Sequence, residues 1–259
     1  MATFMGGQLG KIEHLRAFLL LPEERRQRAA LGHTPADAAL AGGLRCGALH
    51  EVFAGEPGHE VAATGFALAL ALTAGQGKSL FWIRQDFAAL EAGDISATGL
   101  LELGVDPARA FLFRAAHVED ALRAAGEGLA CAGLGALVLE TYGESKLLDL
   151  SLSRRLTLAA ARHQVTVIHL RAHATPSASA AETRWIVNAH ASPPQEENWG
   201  MPMFDASLAR NRHGATGQWV MEWNADDGAF RETAHLKPVA AAAFHRPAAT
   251  AMGARRRYG

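Results

Sequence analysis

The chain has little of what assigns a protein to a class at sight. Only two cysteines occur in 259 residues, Cys46 and Cys131, far apart and without a Cys-x-x-Cys partner. That argues against a zinc site or a disulfide scaffold and suits a reducing compartment. A formal net charge of −1 removes any global electrostatic case for nucleic acid as a partner. No apolar run approaches the roughly 20 residues of a membrane span. The start, MATFMGGQLGKIEHL, lacks the apolar stretch of a signal peptide. The expectation is therefore a soluble, cytoplasmic protein. His163, His169, His173 and His190 form no i, i+4 pair on a common helix with a third ligand nearby, and there is no Gly-x-Ser-x-Gly elbow. Metal and serine chemistry have no support.

What is present is apolar content, 49% against 20% charged, enough for a sizeable core in one large domain. Leu9, Ile12, Leu15, Phe18 and Leu19 recur at helical spacing and predict an amphipathic helix over 8–31. A linker with Pro35 follows, then a turn at Gly42-Gly43. Strand and helix patterns then alternate: strand 48–54, helix 60–74, strand 79–84, helix near 95–103, strand 110–114, helix 118–131, strand 135–140, helix 147–163 and strand 165–170. Such βαβ repetition predicts an α/β fold with a mostly parallel sheet. RWIVNA, FDASLARNR and GQWVMEWN lack intervening helices and read as an antiparallel extension. The division expected is an N-terminal helix and linker (1–35), a core (36–237) and a flexible tail (238–259) that ends in the basic run Arg255, Arg256 and Arg257.

One short stretch, AGQGKSLFWI, ends like a phosphate-binding loop. A G-x-x-x-x-G-K-[ST] loop follows a strand and opens a helix. Here the order is reversed: a helical run precedes Lys78, an apolar β-prone run follows it, and Leu72 occupies the first glycine position. The segment reads as a helix C-cap, on Gly75 or Gly77, and a turn into a strand. In an open α/β sheet the ligand site lies beyond the carboxyl end of the first strand, and there the loop AGEPGHEV offers His59, Glu60 and Val61 where a phosphate loop needs glycine, lysine and hydroxyl. Starting the frame at Gly55 gives Glu60, Val61 and Ala62, which restores neither. Glu140 and Asp86 are acids at strand ends, with no lysine or hydroxyl to hold a metal-phosphate for them. Arg210 and Arg212, two apart and so on one strand face, form either an anion site or a solvated face.

Taken together, these segments resemble a known family. DAALAGGLRCGALHEVFAGEPG is similar to the stretch of RecA-family recombinases that leads through a Gly-Gly-Leu turn into the first core strand and phosphate loop. The likeness continues through AGQGKSLFWIRQDFA, the segment ending GALVLET, SRRLTLAAARHQVTVIHLR and the hairpin LARNRHGATGQWVMEW, covering about residues 36–223. In that comparison Glu60 stands at the lysine position, Val61 at the hydroxyl and Glu140 at the magnesium acid, so the resemblance implies a degenerate site, no cofactor and no ATPase activity. The loops that bind DNA in the family look reduced: YGESKLLDL is short, and AHATPSASAAE is a flexible polar loop without lysine or aromatic residues. A RecA-like core without a phosphate loop resembles the ImuA family. That resemblance implies an accessory protein of SOS-induced translesion synthesis, with ImuB and RecA as partners, an error-prone C-family DNA polymerase engaged indirectly, and little direct DNA binding. The partner-binding candidates are Arg210, Arg212, Arg255, Arg256 and Arg257. SulA-like division inhibitors share the degenerate core in shorter chains, and an atypical RecA-like ATPase or DNA-binding protein is the remaining alternative.

Overall fold

The computed structural model describes residues 27–193 and 200–233. Residues 8–26 of the expected first helix, and the tail with Arg255, Arg256 and Arg257, lie outside the described residues. The last part of that expected helix is not helical: β1 (Arg28–Ala29) forms a two-stranded antiparallel ribbon with β2 (Leu44–Arg45). The expected linker folds as well. It holds α1 (Thr34–Ala39), opened by Pro35 in its first turn and capped by His33, whose Nδ1 accepts the Ala36 amide at 3.3 Å. Asp37 accepts the amides of Leu31 and Gly32. Gly43 has φ +125°, and a Cβ there would lie 2.3 Å from the Ala29 carbonyl, so the ribbon can close only over glycine. Leu31 is fully buried, so packed structure begins before residue 36.

The chain continues as β3 (Leu49–Ala54), α2 (Glu60–Gly75), β4 (Ser79–Gln85), α3 (Asp86–Ala92), α4 (Ala97–Glu102), β5 (Ala110–Ala115), α5 (Val118–Gly128), β6 (Leu134–Tyr142), α6 (Leu150–His163) and β7 (Thr166–Ala172). Four strands complete it: β8 (Thr183–His190), β9 (Met203–Asn211), β10 (Gly217–Asn224) and β11 (Ala229–Glu232). The helix expected near 95–103 is present as α4, and a second short helix, α3, precedes it where none was expected. Helix α3 starts at Asp86 directly after a strand, and its apolar Phe87 and Leu90 are exposed, so no core stripe marks its period. The turn after α2 is capped by Gln76 in the left-handed region (φ +49°) rather than by a glycine, with Gly77 (φ +74°) completing it.

Nine strands form one sheet in the order β11-β10-β9-β8-β3-β7-β6-β4-β5. Strands β8, β3, β7, β6, β4 and β5 run parallel, and β9 to β11 add antiparallel hairpins. Helix α2 covers one face with Phe66, Leu68 and Leu70 against Val138, Ile168, Leu170 and Trp185. Helices α5 and α6 cover the other against Leu49, Ile83, Leu137 and Val167. Contact between α2 and β6 is close enough that a Cβ on Gly135 would meet the Gly75 carbonyl at 2.3 Å. No helix among the described residues is long and apolar enough to cross a membrane.

Between β7 and β8 the chain returns to the start of the sheet without a helix, through residues 173–182 lying along the face of β3. This stretch is not the free polar loop expected from its composition. The Ser179 hydroxyl donates to Glu51 Oε2 (2.9 Å), the Ala180 amide donates to Ser153 Oγ (3.0 Å) and the Thr175 amide donates to Glu144 (2.7 Å). Glu51, on β3 and buried, also accepts Arg184 Nε (2.9 Å) and Nη2 (2.7 Å).

Two histidines lie wholly inside the sheet. His50 Nε2 is 2.9 Å from the Arg45 carbonyl, so it donates, and its Nδ1 accepts from the Thr183 hydroxyl at 2.7 Å. His169 Nε2 contacts Thr141 Oγ1 at 3.0 Å. Burial lowers both pKa values to about 3. Both are therefore neutral in the folded chain, while the unfolded chain takes up protons from about pH 6.5 downward. Stability is complete above that pH and is lost as pH falls toward about 3. Glu140 opposes the trend, since burial raises its carboxyl and it protonates earlier when folded. At pH 5 each histidine should cost about 2 kcal/mol. Urea midpoints at about pH 7.5 and about pH 5 test this, and equal midpoints would contradict it.

Candidate functional site

In an open α/β sheet the ligand end is set by the carboxyl ends of the parallel strands. Here the loop 55–59 leaves β3 at that end and enters α2, whose first amides have no partners within the helix. The chain supplies an anion itself. Glu60 Oε2 accepts the Gly58 amide at 2.9 Å, and Glu60 Oε1 lies 3.1 Å from His173 Nε2. His173 stands just past β7 with φ +50° and stacks on Tyr142, which in turn stacks on Phe87, with ring centroids 4.8 and 4.7 Å apart.

His59 turns sideways to β8 at the same end of the sheet, its Nδ1 accepting the Ala189 amide at 2.7 Å. Val61 is 71% exposed and contributes no polar group. A pocket of about 290 Å³ opens between α2, α3 and the ends of β6 and β7. Its polar lining comprises Glu60, Thr64, Glu91, Glu140, Tyr142 and His173. Among the described residues it thus presents three carboxylates and, besides His173, no basic group. A phosphate entering there meets repulsion at the helix end whose amides would otherwise hold it.

Glu140 is no free acid either. It is buried at 2% exposure, with Oε2 accepting Trp82 Nε1 at 2.9 Å and Oε1 accepting Arg84 Nε at 3.2 Å. Arg84 stands directly opposite it in the β4–β6 register and spends its remaining donors on the carbonyls of Gly93 (2.9 Å) and Ala88 (3.1 Å). Burial pushes the Glu140 carboxyl upward, against the pull of Arg84 and of the Trp82 bond. Asp86, the second acid noted in the sequence, is at the surface and pairs with Arg114 at 2.8 Å.

The sheet register places Arg210 and Arg212 at the other end. Strand β9 runs antiparallel to β8, so Arg210 faces Arg184 near the start of β8. Arg210 Nη1 donates to the Ser179 carbonyl (2.7 Å) and Arg212 Nη1 to that of Ala180 (3.5 Å). The two arginines do share one side, as their spacing predicts, and there they hold the 173–182 crossover. The structure thus brings Glu60 and Glu140 into one pocket and leaves Arg210 and Arg212 far from it. Arg84, Trp82 and His173 were missed in the sequence. The signal for Arg84 was available: FWIRQ and LVLET are apolar strands with one charge each, of opposite sign, and a buried lone charge needs a partner.

Removing one partner of a buried pair leaves the other charge uncompensated. Arg84→Met should therefore destabilise the chain by about 3–5 kcal/mol, and adding Glu140→Gln should recover part of that loss. Urea unfolding of the single and double variants measures this, and a single-variant loss under about 1 kcal/mol would show that the pair carries no structural weight.

No protein-family profile matches the chain, and no curated protein matches it. Among solved structures it is similar to the crystal structure of the RadB recombinase, at 17% identity and a TM-score of 0.54, over 79% of this chain and 99% of that one. At that identity the likeness speaks for architecture alone. With its parallel core, flanking helices and antiparallel edge, the chain has a RecA-like α/β fold.

Proposed function

We propose that this protein is a non-catalytic accessory factor of DNA-damage tolerance, of the ImuA type. In this reading a RecA-like body serves as a docking scaffold for RecA and ImuB in translesion synthesis and induced mutagenesis, and an error-prone C-family polymerase is reached indirectly. One observation carries the non-catalytic part: the chain's own groups fill the nucleotide end of the sheet. Glu60 occupies the Gly58 amide, and Glu140 is bound by Arg84 and Trp82 rather than left to organise a metal. Restoring a lysine at position 60 would still leave no free acid on β6.

The pinned crossover supports the absence of strong direct DNA binding. Thr175, Ser179 and Ala180 are tied to Glu144, Glu51 and Ser153, and 173–182 contains no lysine, arginine, phenylalanine, tyrosine or tryptophan. Arg210 and Arg212 have an internal task in holding it, so the basic run Arg255–Arg257 is the better partner-binding candidate of the two. The assignment to ImuA rather than to a SulA-like inhibitor, which shares the degenerate core, rests on the resemblance of the glycine-rich segment DAALAGGLRCGALHEVFAGEPG, which the division inhibitors lack.

Two measurements test the reading. Titration of the full chain with a labelled, non-hydrolysable ATP analogue and magnesium should give no saturable binding up to about 1 mM, a concentration that would detect a ligand held by only about 4 kcal/mol. Immobilised full chain should retain purified ImuB and purified RecA but not the division GTPase. Saturable magnesium-dependent ATP binding would sink the non-catalytic reading, and retention of the GTPase alone would replace the accessory role with that of a division inhibitor.

A further inference from the structure

The two edges of the nine-stranded sheet are built differently. At one edge β11 is four residues long and ends in Arg231 and Glu232, a short charged strand of the kind that discourages further pairing. At the other edge lies β5, bonded to β4 on one side only. Alternate residues of a strand direct their backbone N–H and C=O groups to opposite sides, so part of this strand's hydrogen-bonding capacity points outward with no strand among the described residues to receive it. Its central residues are apolar and open: Phe111 is 57% exposed, Leu112 50% and Phe113 41%. The register with β4 puts Phe111 and Phe113 on the α5 face, where the Phe113 and Phe81 rings stand 6.5 Å apart, and Leu112 on the other face. An exposed apolar edge strand of six residues can template the addition of another strand.

The sequence of the strand says which one. From Arg109 it reads Arg-Ala-Phe-Leu-Phe-Arg-Ala, and Phe-Leu-Phe is a palindrome about Leu112. An antiparallel pair related by a two-fold axis needs just this self-complementarity. Centred on Leu112, such a pair sets Leu112 against its own copy, each Phe111 against a Phe113, and each Ala110 against an Arg114. Directly opposed residues then share a face, as strand geometry requires, and no two like charges meet. Arg114 is already held by Asp86 and Asp94 at 2.8 and 2.9 Å. Beside Phe113 a groove of about 440 Å³ runs between β5 and α5, lined by Phe81, Arg123, Ala124 and Gly128 among others, and it adjoins the place where the copy's Phe111 ring would sit. We propose that the protein is a homodimer in which β5 pairs antiparallel with β5 of a second copy about Leu112, joining two nine-stranded sheets into one.

Sedimentation equilibrium of the full chain should give a dimer at about 100 µM. Leu112→Lys and Leu112→Glu, each at a half-exposed site, should each give a monomer with an unchanged melting transition, because like charges then face each other across the axis. Mixing the two variants should restore the dimer. In a Cys131→Ser background, Leu112→Cys should cross-link to itself on mild oxidation, whereas Arg231→Cys on the opposite edge should not. This arm decides the matter even if the charged variants fail to fold. A wild-type chain that sediments as a monomer at about 100 µM, a dimer that survives Leu112→Lys, or a Leu112→Cys chain that does not cross-link overturns the proposal.

Discussion

The constraint on which the rest of the structure depends is the need to cover α2 on every side. Its sequence, EVAATGFALALALTAG, has no polar stripe after Thr64 except Thr73, and Phe66 through Ala71 are all buried. A helix apolar all round cannot lie on a sheet with its back to water. The parallel strands cover one side. Beyond Trp185 of β8, 5.3 Å from the Phe66 ring, the antiparallel strands supply much of the rest: Phe66 touches Phe204 and Phe230 at centroid distances of 5.5 and 5.2 Å, and Trp223 stacks on Phe230. The first ribbon and α1 add Leu31, Leu40 and Leu44 to the same cluster. The extension β9–β11 is thus the outer wall of this helix's enclosure rather than an appendage.

A second regularity concerns charge. Inside the layers, ionised groups are paired locally: Glu51 with Arg184, Glu140 with Arg84, Arg45 with Glu182. Each pair also ties together segments that no helix joins. Glu51 fastens the crossover to β3, Glu140 fastens β6 to β4, and Arg45 fastens the ribbon to the start of β8. Buried pairs contribute little net stability against apolar alternatives, but breaking one is expensive. They therefore act mainly on specificity, fixing which segment lies where. Glu140, at the carboxyl end of the parallel strands, follows the same habit.

Much of the architecture was legible in the sequence because it was written in periodicity. The apolar runs at Leu49–Ala54, Leu134–Tyr142 and Thr166–Ala172 are buried on both faces, and such strands announce themselves without alternation. Helices α3 and α1 were hidden for the opposite reason: six or seven residues make under two turns, too few to show a 3.6 period. At positions 59–61 residue identity alone leads to the expectation of a degenerate phosphate loop. The contacts made there could not be read. Glu60 meets His173 and Glu140 meets Arg84 through tertiary geometry alone, and the stitched crossover 173–182 looked free because serine, threonine and alanine carry no sign of the partners they will find.

The placement of β3 also dictates when the chain can become a protein. This strand is made early, yet both of its neighbours are late: β7 must follow α6, and the His50–Thr183 contact joins residues 133 positions apart. Until β8 leaves the ribosome, α2 has been synthesised in full with most of its walls still missing. Closing so long a loop is slow, and the interval leaves an uncovered apolar helix beside unpaired strand edges. The strands that look like a late addition to the sheet bring Trp185, Phe204 and Phe230, and so complete the enclosure of a helix made long before them.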